Sequence, residues 1–362
     1  MAFISELAFY FAIIFAGGAF AGIIFNMHWN TRSQKALYVV FGITLMIMAY
    51  SIWPGNGSDL SRYFNILNRL KYMSFADALK YGYYSSTPIA NIFMWLISKT
   101  GNNKLLPCIS TGIIVINTYF LIDIEKKHNK EVECNDELYL ILIYSVATLL
   151  AITTGVRQNW MVTVYSLAVY REFIKGKKDI WTVFLYVAAC MIHTSAIMLV
   201  TVRICAFIKG KKKAIFFLWI ALAPLLERLT SVQGILGEAV SKFYGYQSIG
   251  NEGLDMRYLV ARTGILIILS MMWWKVKDLS NNDGYMNFYG TLLIISFGSI
   301  SVAHLFSRMA NVVVYTSLPL LNEFYECSNL KEKVSSKAAL IFLSIGLLSY
   351  HYVLIKNSVS FI

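Results

Sequence analysis

Apolar segments of near membrane-spanning length recur along this chain from end to end, and that recurrence limits its fold more than any motif does. Thirteen are read: 7–25, 36–53, 83–98, 105–122, 138–154, 158–174, 180–192, 194–208, 213–229, 258–274, 287–304, 309–325 and 338–355. The chain is 57% hydrophobic and 14% charged, where a soluble domain carries about 25% charged residues. A β-barrel needs alternating strands of about ten residues, which these continuous runs are not. The expectation is an all-α polytopic integral membrane protein. Residues 1–362 form one membrane domain, with outer-face loops at about 54–82 and 230–257.

Lysine plus arginine number 32 against 20 acidic residues, a net charge of +12. Cationic loops orient membrane helices and face anionic lipid, so this excess does not call for nucleic acid. The five cysteines are scattered without a CxxC pair, and imply neither a zinc site nor a disulfide framework. The first apolar run lacks a basic region before it and reads as a first span, not a cleaved signal peptide. "GGAFAG" at 17–22 has the small-residue spacing of close helix packing.

Basic clusters at Arg32/Lys35, Arg171–Lys178, Lys209–Lys213, Lys275/Lys277 and Lys331–Lys337 read as cytoplasmic. The stretches 54–82 and 230–257, the turn near Arg157 and the turn near Arg308 then fall on the outer side. Thirteen crossings do not satisfy these assignments. Segment 83–98, with a short apolar core, is the one expected not to cross, which leaves about twelve transmembrane helices. Residues 180–208 could be one helix of about 44 Å; basic residues at both ends favour a hairpin, which places His193 on the outer side. The halves of the pairs 138–154/158–174 and 180–192/194–208 are short for a core of about 30 Å. Their turns are expected to line a polar cavity, since irregular backbone at membrane depth needs protein or water around it.

Four polar groups collect on the outer side. In "GNGSDLSRYF" Asp59 sits in a first helical turn, where a carboxylate suits the dipole, and could also accept a proton from a sugar hydroxyl. Arg62 and Tyr63 lie one turn along. In "TTGVRQNW" Arg157 stands with Gln158 and Asn159 between two apolar runs; an intramembrane arginine marks a site by default, and its fork suits phosphate. Snorkelling or a structural ion pair is the plain alternative. "IHTSA" offers His193 with Ser195, as acid, base, phosphate ligand or packing residue. "HLFSRMANVVVY" puts His304 and Arg308 on one helix face, while Arg257 and Arg262 flank the start of span 258–274. Tyr244, Tyr246, Tyr258, Trp273 and Trp274 could stack on sugars, although an aromatic belt explains them equally well. There is no GxxxxGK[ST], DxD, HExxH or GxSxG, which argues against a P-loop motor, a metal-dependent sugar-nucleotide transferase, a zincin and an α/β-hydrolase. What is left fits metal-free chemistry, without a cofactor, on a substrate with a phosphate leaving group.

"GSDLSRYF", "TGVRQ", a basic loop, "IHTSA" and "SRMANVVVY", in this order and spacing over about 40–325, resemble the EpsG family of Wzy-type surface-polysaccharide polymerases. The resemblance implies a GT-C-like fold in the bacterial cytoplasmic (inner) membrane, facing the periplasm or outside. It implies an undecaprenyl-diphosphate-linked oligosaccharide donor and acceptor, with membrane lipid around them. Asp59, Arg157, His193 and Arg308 would be the functional positions, with Asp59 and His193 competing as base. A ligase using the same donor, a lipid-linked oligosaccharide flippase and a membrane O-acyltransferase are rivals. The flippase needs basic residues through both leaflets, and the acyltransferase leaves the arginines unexplained. The sequence does not say whether a chain-length regulator binds.

Overall fold

The helices of this protein reverse direction at capped breaks, and those breaks decide which side chains share an end. A computed structural model describes residues 31–54, 59–81, 86–128, 135–206, 256–300 and 303–361. Segments 7–25 and 213–229, with nearly all of loop 230–257, lie outside the described residues. Helix α1 (Thr31–Ser51) climbs from Arg32 to a short strand β1 (Ile52–Pro54). Helices α2 (Asp59–Leu70), α3 (Phe75–Leu79) and α4 (Pro88–Lys99) follow, then α5 (Leu105–His128) descends beside α1. The Tyr38 hydroxyl donates to the Val115 carbonyl at 2.9 Å, and the Asn102 amide donates to the Tyr50 hydroxyl at 2.8 Å, so α1 and α5 are antiparallel. A Cβ on Gly112 would stand 2.9 Å from the Met46 sulfur, so a larger residue there would make the Met46 side chain move.

Helix α5 ends in Lys126, Lys127 and His128, which define the basic end of the bundle. Helix α6 (Asp136–Val146) starts there, with Asp136 paired to Lys126, and runs to the opposite end. Ala147 and Thr148 leave helical geometry, and Thr148 caps a short α7 (Leu149–Thr154) by accepting from the Ala151 N–H. After Gly155, α8 (Val156–Val169) descends into a π-helical turn at Tyr170–Ile174. Helix α9 (Ile180–Ile192), capped by Asp179, climbs again, and α10 (Ala196–Cys205) follows.

The hairpin expected at 180–208 is present. Arg203 of α10 and Tyr186 of α9 both reach Glu172 on the π turn; the Arg203 Nε bond is 3.0 Å and the Tyr186 hydroxyl bond 2.8 Å. One continuous helix could not return Arg203 to that level. The Glu172 side chain is 1% exposed and that of Arg203 22%, so a buried carboxylate paired to a half-buried arginine holds three helices together.

Helix α11 (Met256–Val276) descends to Lys275, which pairs with Glu332. Helices α12 (Asp283–Gly298) and α13 (Ala303–Tyr315) are antiparallel: the hydroxyls of Tyr285 and Tyr289 donate to the carbonyls of Thr316 and Val313. Helix α14 (Leu318–Cys327) stays at the basic end, and α15 (Leu330–Ser358) rises to β2 (Val359–Phe361), antiparallel to β1.

Several segments expected to be single spans are therefore broken. Segment 309–325 divides at Thr316–Ser317 because Pro319 opens a new helix, where its missing N–H costs nothing. Segment 138–154 divides at Thr148, whose hydroxyl caps α7. Among the described residues two helices are long and apolar enough to cross a membrane by themselves, Leu105–His128 and Leu259–Val276. Segment 83–98 is shorter still: α4 is 12 residues, about 18 Å. Its Lys99 ammonium donates to the Lys71 and Met73 carbonyls, so its C-terminal end lies against the turn between α2 and α3. The expected loop 54–82 contains an amphipathic helix; α2 buries Leu60, Tyr63, Phe64 and Leu67 in a small core of its own with α4, Leu106 and Val156.

Candidate active site

Arg157 is the second residue of α8, whose N-cap is Gly155. A Cβ at Gly155 would lie 3.0 Å from the Ala151 carbonyl oxygen and 3.1 Å from the Asn159 amide nitrogen. That amide donates to the Ala151 and Gly155 carbonyls at 2.8 and 3.1 Å and so staples α7 to α8. Asn159 was expected to bind substrate; its NH2 is committed to this junction. Gln158 is half-buried on the same turn.

The Arg157 residue is 5% exposed. Its Nε donates to the Tyr63 hydroxyl at 3.4 Å, and its Nη1 donates to the Thr87 hydroxyl at 3.1 Å. Tyr63 comes from α2, and Thr87 immediately precedes α4. The guanidinium carbons of Arg157 and Arg62 each lie 5.9 Å from the centre of the Tyr63 ring, within cation–π reach. Asp59 pairs with Arg62 at 3.1 Å, and their side chains are 56% and 58% exposed. The structure thus joins Asp59, Arg62, Tyr63 and Arg157 in one contact chain running from surface to interior. Two helix N-termini, those of α4 and α8, meet at the buried guanidinium, and each carries the positive end of a helix dipole.

His193 lies in the extended backbone that breaks α9 from α10, buried at 8% exposure. The Ser195 backbone N–H donates to His193 Nδ1 at 3.1 Å, and the Ser195 hydroxyl lies 2.8 Å from the same nitrogen. A backbone N–H can only donate, so Nδ1 keeps its lone pair and the ring hydrogen sits on Nε2. His193 thereby presents a donor.

Arg262 joins three helices. Its Nη1 donates to the Ser307 carbonyl and hydroxyl at 2.5 and 2.7 Å, and its Nη2 to the Val146 carbonyl at 3.0 Å. Val146 is the last residue of α6, where carbonyls lack intrahelical partners, so Arg262 caps the break before α7. Arg308 follows Ser307 on α13 and is half-buried. Arg257 and His304 fall within α11 and α13, but their side chains lie outside the described residues.

Two features escaped the sequence reading. Thr87 carried only the signal of a threonine before a helix-opening proline. The Glu172–Arg203 pair was hidden because Glu172 stands at the end of segment 158–174, beside a basic cluster that reads as cytoplasmic. At the basic end, a cavity of about 540 Å3 is lined by residues including Lys175, Asn282, Glu323 and Glu326, far along the chain's helices from Arg157.

No curated protein and no solved structure matches this chain. The EpsG family matches it over residues 34–362, nearly its whole length, from within α1 to beyond β2. The family is one of Wzy-like polymerases, membrane proteins of polysaccharide biosynthesis with a glycosyltransferase-like activity. A match over nearly the whole chain settles its kinship: the chain belongs to the EpsG family.

Proposed function

We propose that this protein transfers a growing glycan from undecaprenyl diphosphate onto the sugar of an incoming lipid-linked repeat unit, without a metal. The observation that carries this reading is the buried Arg157 guanidinium at the meeting of the α4 and α8 N-termini. Such a place concentrates positive charge and suits a diphosphate. In the reaction the acceptor oxygen attacks the anomeric carbon, the bond to the diphosphate breaks, and its electron pair leaves with the diphosphate. Fixed guanidinium groups in a poorly solvated site stabilise that growing charge. Arg157 takes the first part and Arg308 the second, with His193 Nε2–H as a further donor. The acceptor proton goes to Asp59, which is exposed enough to meet a second substrate; the His193 lone pair already accepts from Ser195. A single base facing the leaving group across the ring inverts the anomeric centre. In this reading the whole chain, 1–362, is one multi-pass unit of about twelve spans with a GT-C-like arrangement. It lies in the inner membrane with the Arg157 end outward.

The test is complementation in the native host with Arg157→Ala, Asp59→Asn, His193→Ala and Arg308→Ala, scored by glycan chain length. Loss of polymerisation leaves single repeat units on the surface acceptor. A ligase would leave long chains on the lipid carrier. Normal polymer from Arg157→Ala at normal expression would sink the assignment.

A further inference from the structure

We infer that Thr87 is a positioning residue for Arg157, its hydroxyl setting the plane in which the guanidinium meets its anion. This rests on the reading of Arg157 as the diphosphate ligand. Thr87 occupies the N-cap position of α4, with Pro88 as the first helical residue. A threonine there ordinarily turns its oxygen back onto a backbone N–H of the first turn. Thr87 makes no such side-chain bond. Its oxygen instead accepts from Arg157 Nη1 at 3.1 Å, 70 residues away in the sequence. The helix therefore forgoes its usual cap, and the hydroxyl serves the arginine.

Tyr63 holds Arg157 at Nε, close to the aliphatic stem, with a long 3.4 Å bond. Thr87 engages Nη1, so the two acceptors together fix a planar group at two points on different elements, α2 and the start of α4. Both of these acceptors are neutral hydroxyls, which orient a cation without cancelling its charge. Thr87 is 1% exposed, so solvent does not replace the bond when it is removed.

The experiment compares Thr87→Val, Thr87→Ser and Thr87→Ala in the full-length protein, in membranes of the native host with its own lipid-linked repeat units. Polymer formation is measured beside expression and thermal stability of the extracted protein. Thr87→Val should lower polymer formation about tenfold in protein that is still folded and expressed at the parent level, and Thr87→Ser should restore it, because only the hydroxyl matters. Thr87→Ala removes the same acceptor should valine pack badly. In an Arg157→Lys background, which has no fork to orient, Thr87→Val should add less than twofold. Normal polymer from both Thr87→Val and Thr87→Ala overturns the proposal. So does a Thr87→Ser variant as impaired as Thr87→Val, since that marks the methyl group as what counts. If Arg157→Ala abolishes polymer while the Thr87 variants are normal, Thr87 alone is misassigned. If Arg157→Ala is itself normal, the diphosphate reading falls and the Thr87 proposal with it.

Discussion

Arg203→Ala should destabilise this protein more than any change at its exposed charges. The Glu172 carboxylate is 1% exposed and takes hydrogen bonds from Arg203 Nη2, Arg203 Nε at 3.0 Å and the Tyr186 hydroxyl at 2.8 Å. Removing Arg203 takes away two of these three donors and leaves a buried charge uncompensated, which costs about 3–5 kcal/mol. At about 2.1 cal/mol/K per residue, the 362 residues give an unfolding entropy of about 0.76 kcal/mol/K. The melting temperature should then fall by about 4–7 °C. Tyr186→Phe removes one bond and should cost about 1 kcal/mol, a fall of about 1–2 °C. The double change Glu172→Leu with Arg203→Met removes both charges and should recover most of the loss. The assay is thermal unfolding of detergent-extracted protein followed by intrinsic fluorescence. A fall below 1 °C for Arg203→Ala, or a double variant as unstable as the single one, would refute the buried pair. It would also remove the contact that returns α10 beside α8 and so places His193 at the turn.

Four further outcomes are expected. Arg157→Lys keeps a charge but cannot reach the Tyr63 and Thr87 hydroxyls as a fork does; polymer formation should fall about 10–100-fold, against about 100–1,000-fold for Arg157→Ala, measured by glycan length and rate. Gly155→Ala must push the Ala151 carbonyl or the Asn159 amide; it should cost about 1–3 kcal/mol of stability and lower activity together, read by melting and polymer yield. The Arg171 guanidinium and the Thr182 N–H hold the Asp179 carboxyl well below the usual carboxylate range. A depressed folded value means that this carboxylate stabilises at neutral pH and that its contribution is lost as pH falls below about 4. Asp179→Asn should therefore lower the melting temperature at pH 7, and a gap to the parent protein that stays constant into acid would contradict this. A cysteine replacing exposed Asp59 should react with an impermeant reagent in intact cells, whereas one replacing exposed Lys178 should react only after permeabilisation; the reverse pattern would invert the proposed orientation.

Much of the helical inventory was legible because apolar runs and their ends are local properties. The boundaries expected at 180–192 coincide with α9, and 105–122 lies within α5. The short apolar core of 83–98 was legible too, and α4 is only 12 residues long. Breaks were legible only where chemistry marks them. Pro319 was such a mark and was passed over within 309–325. Thr148 gave less warning, since a threonine in an apolar run reads equally as interior or cap until its oxygen is seen on the Ala151 N–H.

At the site, residue types and the order of the motifs are readable from the chain alone, and were enough to suggest the family that matches residues 34–362. Arg157 stands out because a guanidinium between apolar runs is costly wherever the chain folds. What offsets that cost emerges from contacts between distant segments. Tyr63 and Thr87 reach Arg157 across 94 and 70 residues, Arg262 reaches Val146 across 116, and Arg203 reaches Glu172 across 31. Periodicity describes a helix's own faces, but a hydrogen bond between elements depends on where their ends are held. In this chain that is set by caps, a glycine turn and a buried ion pair acting together.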